Sequence, residues 1–240
     1  LHHRATGQPL VIAKYAASLD GRIASASGDA RWISGPEARQ WLHVLRTKLD
    51  AIMVGSTTAV MDDPQLTARP EGIEEPHQPL RTVVDSQGKL PASARVLGPG
   101  SLVATTEASS AEWRDAITAT GAEVLVLPAE KSYVSIEALL NALGERGVLT
   151  LLVEGGGALL GALFDQRRVQ RLYAVIAPVI IGAIDAPSAV SGTGAHVMAD
   201  APRLRDVTVE RLGEDTLISG VPAWPDATNA REGTESPTRE

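Results

Sequence analysis

Along most of the chain, short apolar runs alternate with stretches whose apolar residues recur every three or four positions. The short runs predict strands over Leu10–Ala16, Ala51–Gly55, Leu80–Asp85, Ser101–Thr105, Glu123–Leu127 and Leu149–Glu154. Three more follow over Arg171–Ala177, Arg205–Arg211 and Thr216–Gly220. The longer period predicts helices over Pro36–Leu49, Ala111–Thr120, Ser135–Arg146 and Ala158–Asp165. In the first of these, Ala38, Trp41, Leu42, Leu45 and Leu49 share one face.

Alternating strands and helices imply an α/β fold with a mostly parallel sheet covered by helices. The two closing strands, joined through Gly213-Glu214-Asp215, read as an antiparallel hairpin on its edge. Residues 69–79, rich in Pro, Gly and Glu, read as a surface loop. Residues 1–8 read as a leader or linker and 9–222 as one domain. Residues 223–240 are polar and aperiodic, which predicts a disordered tail. No internal repeat is present.

The 240 residues, 44% of them hydrophobic, suffice for a sizeable core. A net charge of −7 argues against a nucleic-acid partner, which would require a basic face. It leaves room for a phosphorylated substrate, since a local arginine pair can bind phosphate in an acidic protein. Without cysteine there is no disulfide and no thiolate metal site, and no metal is expected. No apolar run approaches the ~20 residues that span a bilayer, and no secretory leader pattern is present. A cytoplasmic location without membrane attachment is therefore the expectation. Leu1 in first position suggests a processed chain or a fragment, and His2-His3 is given no metal role.

Three stretches could carry chemistry. In Leu149–Gly161 a buried strand ends in Glu154, three glycines follow, and a helix begins. Glycines admit a ligand close to the backbone, and a helix N-terminus offers free N–H groups to an anion. The spacing is not G-x-G-x-x-G, because Leu160 stands at the third position, so the common dinucleotide fold is not indicated. A tight connection would explain the glycines equally well. In Ala51–Arg69 a strand runs into a hydroxyl-rich turn with Thr57 and Thr58 and a short helix, then Asp62-Asp63-Pro64, which a turn or helix cap would explain. In Lys14–Ser34 a turn at Asp20-Gly21 precedes Trp32, either a core aromatic or a platform for a flat ring. Arg39, His43 and Arg46 form a polar stripe on the next helix, with a solvated face as the simpler explanation. Arg46 and Arg69 together suggest a phosphate grip.

Taken in order, A-x-S-L-D-G-R at Ala16–Arg22, S-G-x-x-x-W-I-S at Ser27–Ser34 and D-D-P-x-L-T-x-R at Asp62–Arg69 form a specific series. V-x-D-S at Val83–Ser86, V-E-G-G at Val153–Gly156, A-P-x-x-I-G at Ala177–Gly182 and A-D-A-P-R-L at Ala199–Leu204 complete it. From about Pro9 to Pro222 the chain resembles the reductase domain of the bifunctional riboflavin-biosynthesis deaminase–reductase family. The resemblance implies a dihydrofolate-reductase-like, three-layer α/β/α fold, NADPH as cofactor, and 5-amino-6-(5-phosphoribosylamino)uracil as substrate. It implies cofactor contacts from Ala16, Trp32, Thr58, Asp62, Ser86 and the turn Gly156, Gly157, Ala158, Leu159, Leu160, Gly161 and Ala162. It implies substrate contacts from Ala30, Arg46, Leu66, Arg69 and Glu154, and a homodimer. The family often has Ser at the place of Ala30, so one hydrogen bond worth roughly 0.5–1.5 kcal/mol is lost here. The zinc ligands of the family's deaminase half include cysteines, so neither zinc nor deamination is expected of this chain.

Asp62 and Glu154 are the expected catalytic acids, with Lys14 a further polar candidate beside an exposed reading. The sequence leaves the proton source open between Asp62, Glu154 and water. A same-fold reductase of another pyrimidine or pteridine, and a non-catalytic nucleotide-binding protein, are the competing readings.

Overall fold

The computed structural model describes residues 1–225. The elements are helix α1 (His2–Thr6), strand β1 (Leu10–Ser18), α2 (Pro36–Arg46), β2 (Ala51–Gly55), α3 (Ser56–Asp62), β3 (Leu80–Val84), β4 (Ser101–Thr105), α4 (Ala111–Thr118) and β5 (Glu123–Val126). Then come β6 (Ala129–Glu130), β7 (Tyr133–Val134), α5 (Ile136–Glu145), β8 (Thr150–Glu154), α6 (Gly157–Asp165), β9 (Arg171–Ala177), β10 (Arg203–Leu212) and β11 (Asp215–Ala223).

Nine strands form one sheet in the order β10-β11-β9-β1-β8-β2-β3-β4-β5. From β9 to β5 every neighbouring pair is parallel. The β10–β11 hairpin joins antiparallel at the edge, against β9. The α/β class, the parallel sheet and the edge hairpin agree with the sequence reading.

Alternation within each strand divides the core in two. Val11, Ala13, Met53, Leu151 and Val153 pack against Leu139, Leu140 and Leu143 of α5 and Leu160 and Leu163 of α6. Ile12, Ile52, Val54, Val103 and Leu152 pack against Leu42 and Leu45 of α2, Ala59 of α3 and Ile117 of α4. Lys14 and Glu154, in step with Ile12 and Leu152, therefore belong to the α2 face.

The ends depart from expectation. Residues 1–8 are not a free leader: α1 docks on α5, where His3 Nε2 lies 3.1 Å from the Gly144 carbonyl and Gln8 is buried. Gly144 makes this approach possible, because a Cβ there would overlap the Gly7 carbonyl. The boundary at Pro222 falls inside β11, and Trp224 continues the fold by packing on Phe164 with ring centroids 6.3 Å apart. The disordered tail expected over 223–240 therefore starts too early, and its remainder, 226–240, lies outside the described residues.

Candidate active site

The site builds up from two neighbouring strand tips. β2 and β8 pair in parallel, Ala51 with Leu151 and Met53 with Val153, so Gly55 and Glu154 end side by side. The hydroxyl-rich turn leaves β2 into α3, and the glycine turn leaves β8 into α6. Gly156 caps α6 with φ 77°, and a Cβ on it would stand 3.1 Å from Thr58 Oγ1. A Cβ on Gly55 would stand 3.9 Å from the Leu159 Cβ. The two turns thus converge, as the sequence reading requires.

The far part of the glycine turn faces inward. The Leu160 side chain is fully buried in the core, and Gly161 fits directly beneath the Ser191 carbonyl. Leu160 by its side chain, and Gly157 and Gly161 by the place a Cβ would take, are thus packed against protein, so any ligand contact they make falls to their backbone. Ala162 lies in the following turn of α6 and is half-buried.

Next to this convergence lies a charged cluster on the α2 face. Arg46 grips Glu154 in a fork, Nε to Oε1 at 2.8 Å and Nη2 to Oε2 at 2.7 Å. Its Nη1 donates to the Thr67 carbonyl at 3.0 Å. The two side chains are 9% and 12% exposed, so the pair is largely dry. Burial pushes the Glu154 carboxyl upward, but the Arg46 charge and hydrogen bonds, with Lys14, outweigh it and leave it below the usual range. Lys14 is opposite Glu154 in the β1–β8 register and is buried. Burial lowers its ammonium below the ordinary lysine value, against the pull of Glu154. This settles the choice left open for Lys14 in favour of the interior.

Three of the five Arg46 N–H donors are committed to Glu154 and Thr67, so the protein itself anchors this guanidinium and leaves two N–H groups for a ligand. Arg69 is exposed: its Nη1 donates to Gln65 Oε1 at 2.7 Å and contacts Thr67 Oγ1, and its amide donates to His43 Nδ1 at 3.2 Å. Burial lowers Arg69, and the positive charges of Arg46 and Arg95 lower it further. Of the stripe, His43 and Arg46 thus face this cluster, while Arg39 donates to the Ser34 carbonyl and lies over the exposed Trp32 ring.

The other candidates surround this core. Trp32 is 71% exposed, with the Arg39 guanidinium 4.6 Å over its ring, so it is not a core aromatic. Its loop reaches α3: Arg31 contacts the Asp62 carbonyl, and a Cβ on Gly28 would meet Met61 at 2.9 Å. Burial raises the Asp62 carboxyl, which Arg31 partly offsets. Ala30 is half-buried in the same loop, its carbonyl accepting from the Ile33 amide at 3.2 Å. Ala16 follows Lys14 on the same face of β1 and pairs with Val175. Ser86 stands after β3, where its Oγ accepts from the Val134 amide at 2.9 Å. The Leu66 side chain is buried in the α2-side core, so any contact it makes with substrate falls to its backbone, at φ 53°.

The RibD C-terminal domain family model matches residues 9–218. The chain belongs to this family. The riboflavin biosynthesis protein RibD of Bacillus amyloliquefaciens is 34% identical over 226 residues, 92% of this chain and 60% of that protein. The structure of Acinetobacter baumannii RibD matches with a TM-score of 0.79 at 28% identity, over 93% of this chain and 60% of that one. A Thermotoga maritima diaminohydroxyphosphoribosylaminopyrimidine deaminase/5-amino-6-(5-phosphoribosylamino)uracil reductase matches with a TM-score of 0.74 at 26% identity, over 92% of this chain and 58% of that one. The chain thus spans about 60% of these relatives.

Within this RibD domain, sequence reasoning passed over Asp215. It is 2% exposed, and its Oδ2 accepts the Gly35 amide at 2.7 Å. It thereby ties the hairpin to Gly35, the residue that opens α2 and has no capping side chain of its own. The signal was available as an acid in a Gly-rich turn, which reads equally well as turn chemistry.

Proposed function

We propose that this RibD C-terminal domain is the NADPH-dependent reductase of 5-amino-6-(5-phosphoribosylamino)uracil, forming the ribitylamino product of riboflavin biosynthesis. The observation that carries the reading is the convergence of Thr58 and Gly156 beside a buried Lys14–Glu154–Arg46 cluster. The family membership and the reductase named in the Thermotoga relative support it.

A nicotinamide cofactor fits this place. Gly156 has a positive φ and lies close beside Thr58, where a Cβ would make a tight 3.1 Å contact, and α6 begins there with no side-chain cap among the described residues, which suits a pyrophosphate. When bound, the cofactor supplies a hydride to the carbonyl or imine carbon of the opened ribose. The chain's own work is alignment and charge. Arg69, exposed beside Arg46, is placed to meet the substrate phosphate. Glu154, held ionised by Arg46, accepts hydrogen bonds from the sugar or pyrimidine and is a poor proton donor.

Lys14 is the better donor. No hydrogen bond or ion pair within the described residues engages Nζ, and burial weakens its hold on the proton. The heteroatom left negative by hydride addition takes that proton, and solvent restores it. Asp62, raised by burial at the end of α3, orients the reacting end of the cleft.

The deaminase step falls elsewhere, since its cysteine ligands are absent from this sequence. Dimerisation through β10 is consistent with that edge strand, which leaves Val207 and Val209 exposed. The test is NADPH oxidation with the phosphoribosylamino substrate in wild type and Lys14→Met. Substrate-dependent turnover lost in the variant, with both ligands still bound, supports the reading. Equal turnover in both removes Lys14 from it.

A further inference from the structure

The structure joins the S-L-D-G-R and A-P-x-x-I-G motifs to each other and then to the glycine turn. The segment between β9 and β10 is fastened first to the turn after β1. Asp20 Oδ1 accepts the Ile181 amide at 3.1 Å, and Oδ2 accepts the Gly182 amide at 2.7 Å. The Leu19 amide donates to the Val179 carbonyl at 2.9 Å.

Four residues later a second fastening follows. Arg22 Nη1 donates to the Ala186 carbonyl at 2.8 Å, and Arg22 bridges Ser188 in antiparallel fashion. The Ile23 amide donates to the Pro187 carbonyl at 3.0 Å.

The same segment then crosses the first turns of α6. The Ser191 amide donates to the Gly157 carbonyl at 2.9 Å. A Cβ on Gly157 would stand 2.5 Å from the Ser188 carbonyl and 2.7 Å from Ser191 Oγ. Asp165 closes the far end by accepting the Thr193 and Gly194 amides at 2.8 and 3.0 Å. Gly157 and Gly161 thus have a packing reason to be glycine that is separate from any ligand.

We infer that Asp20 and Arg22 are positioning residues for the cofactor site, acting through the 178–194 segment as a strap that fixes the N-terminal end of α6. The inference rests on the assignment of the glycine turn to the cofactor. Neither residue touches that turn. Each fastens backbone that does, so slack introduced at Asp20 or Arg22 lets the first turn of α6 shift against Thr58. Anion binding at a helix N-terminus depends on the N–H groups being already aligned, so such slack weakens cofactor binding. The charged cluster, on β1, β8 and α2, is not held by any of these strap bonds.

The test uses Asp20→Ala, which removes both acceptors, and Arg22→Met, which keeps the aliphatic stem and loses the guanidinium. NADPH affinity is measured without substrate, by fluorescence titration, beside hydrogen exchange across the chain. The expected result is a roughly tenfold weaker Kd for NADPH in each variant. Faster exchange is expected in residues 155–161 as well as in the strap, with the KM for the phosphoribosylamino substrate nearly unchanged. Asp20→Asn keeps the shape and one acceptor, so it should fall between, and it carries the test if the alanine variant fails to fold. NADPH affinity equal to wild type, despite faster exchange in the strap, overturns the inference. A wild-type chain that binds no NADPH overturns the cofactor assignment instead.

Discussion

Lys14 stands directly opposite Glu154 in the parallel register of β1 and β8, and both lie on the face covered by α2. The carboxylate is taken up by Arg46, so the lysine shares its field without owning the ion pair. A buried ammonium in that position is held below its ordinary pKa.

That arrangement opposes stability and favours chemistry. A lysine whose folded pKa is lowered costs stability at neutral pH, and the cost fades as pH rises toward the unfolded value near ~10.4. Lys14→Met should therefore keep or raise Tm at pH 7, with the gain shrinking toward pH 10. Its single-turnover rate should fall about 10²–10⁴-fold, the usual contribution of a positioned proton donor. Thermal melts across this pH range, beside stopped-flow NADPH oxidation, check both parts.

The Arg46–Glu154 fork should behave as a buried pair. Removing one partner strands a charge, so Glu154→Gln should cost about 3–5 kcal/mol in urea unfolding. The double replacement Arg46→Met/Glu154→Leu should recover most of that loss and none of the activity. Because Glu154 is depressed in the folded state, its contribution is complete above its unfolded pKa near ~4.3. It disappears as pH falls through the lower folded value. The double variant should accordingly show a flatter acid-unfolding curve than wild type.

Two glycines of one helix should fail differently. Gly156→Ala puts a methyl beside Thr58 at a left-handed φ and should weaken NADPH binding more than it lowers Tm. Gly161→Ala drives a methyl into the Ser191 carbonyl and should lower Tm first. Melting curves and cofactor titrations on both variants separate the two effects.

Asp62 is raised by its partial burial, so its ionised form is the strained one. Asp62→Asn should leave stability at pH 7 unchanged or slightly improved. If Asp62 orients the reacting end, kcat should fall with little change in the substrate KM. An unchanged kcat removes it from the site.

Much of this was legible in the chain. Short continuous apolar runs such as Val11-Ile12-Ala13 and Leu151-Leu152-Val153 fix the strands, and the acid and glycines at Glu154–Gly157 mark where one of them ends. What stayed hidden depends on long-range pairing. Nothing local says that Arg46 meets a carboxylate 108 positions away, and its stripe with Arg39 and His43 looks like any solvated face. Lys14 interrupts an apolar run and suits an exposed strand end as well as an interior one, until β8 and β9 close around it. The docking of α1 likewise depends on a missing Cβ at Gly144, far along the sequence.

The convergence of Thr58 and Gly156 as a cofactor cradle is tested most directly by solving the structure with NADPH bound. The expected result is the pyrophosphate between Thr58 and the Gly156–Gly157 turn, with the nicotinamide ring directed toward Lys14. A cofactor bound elsewhere, or a turn filled by the protein's own side chains, would contradict the assignment.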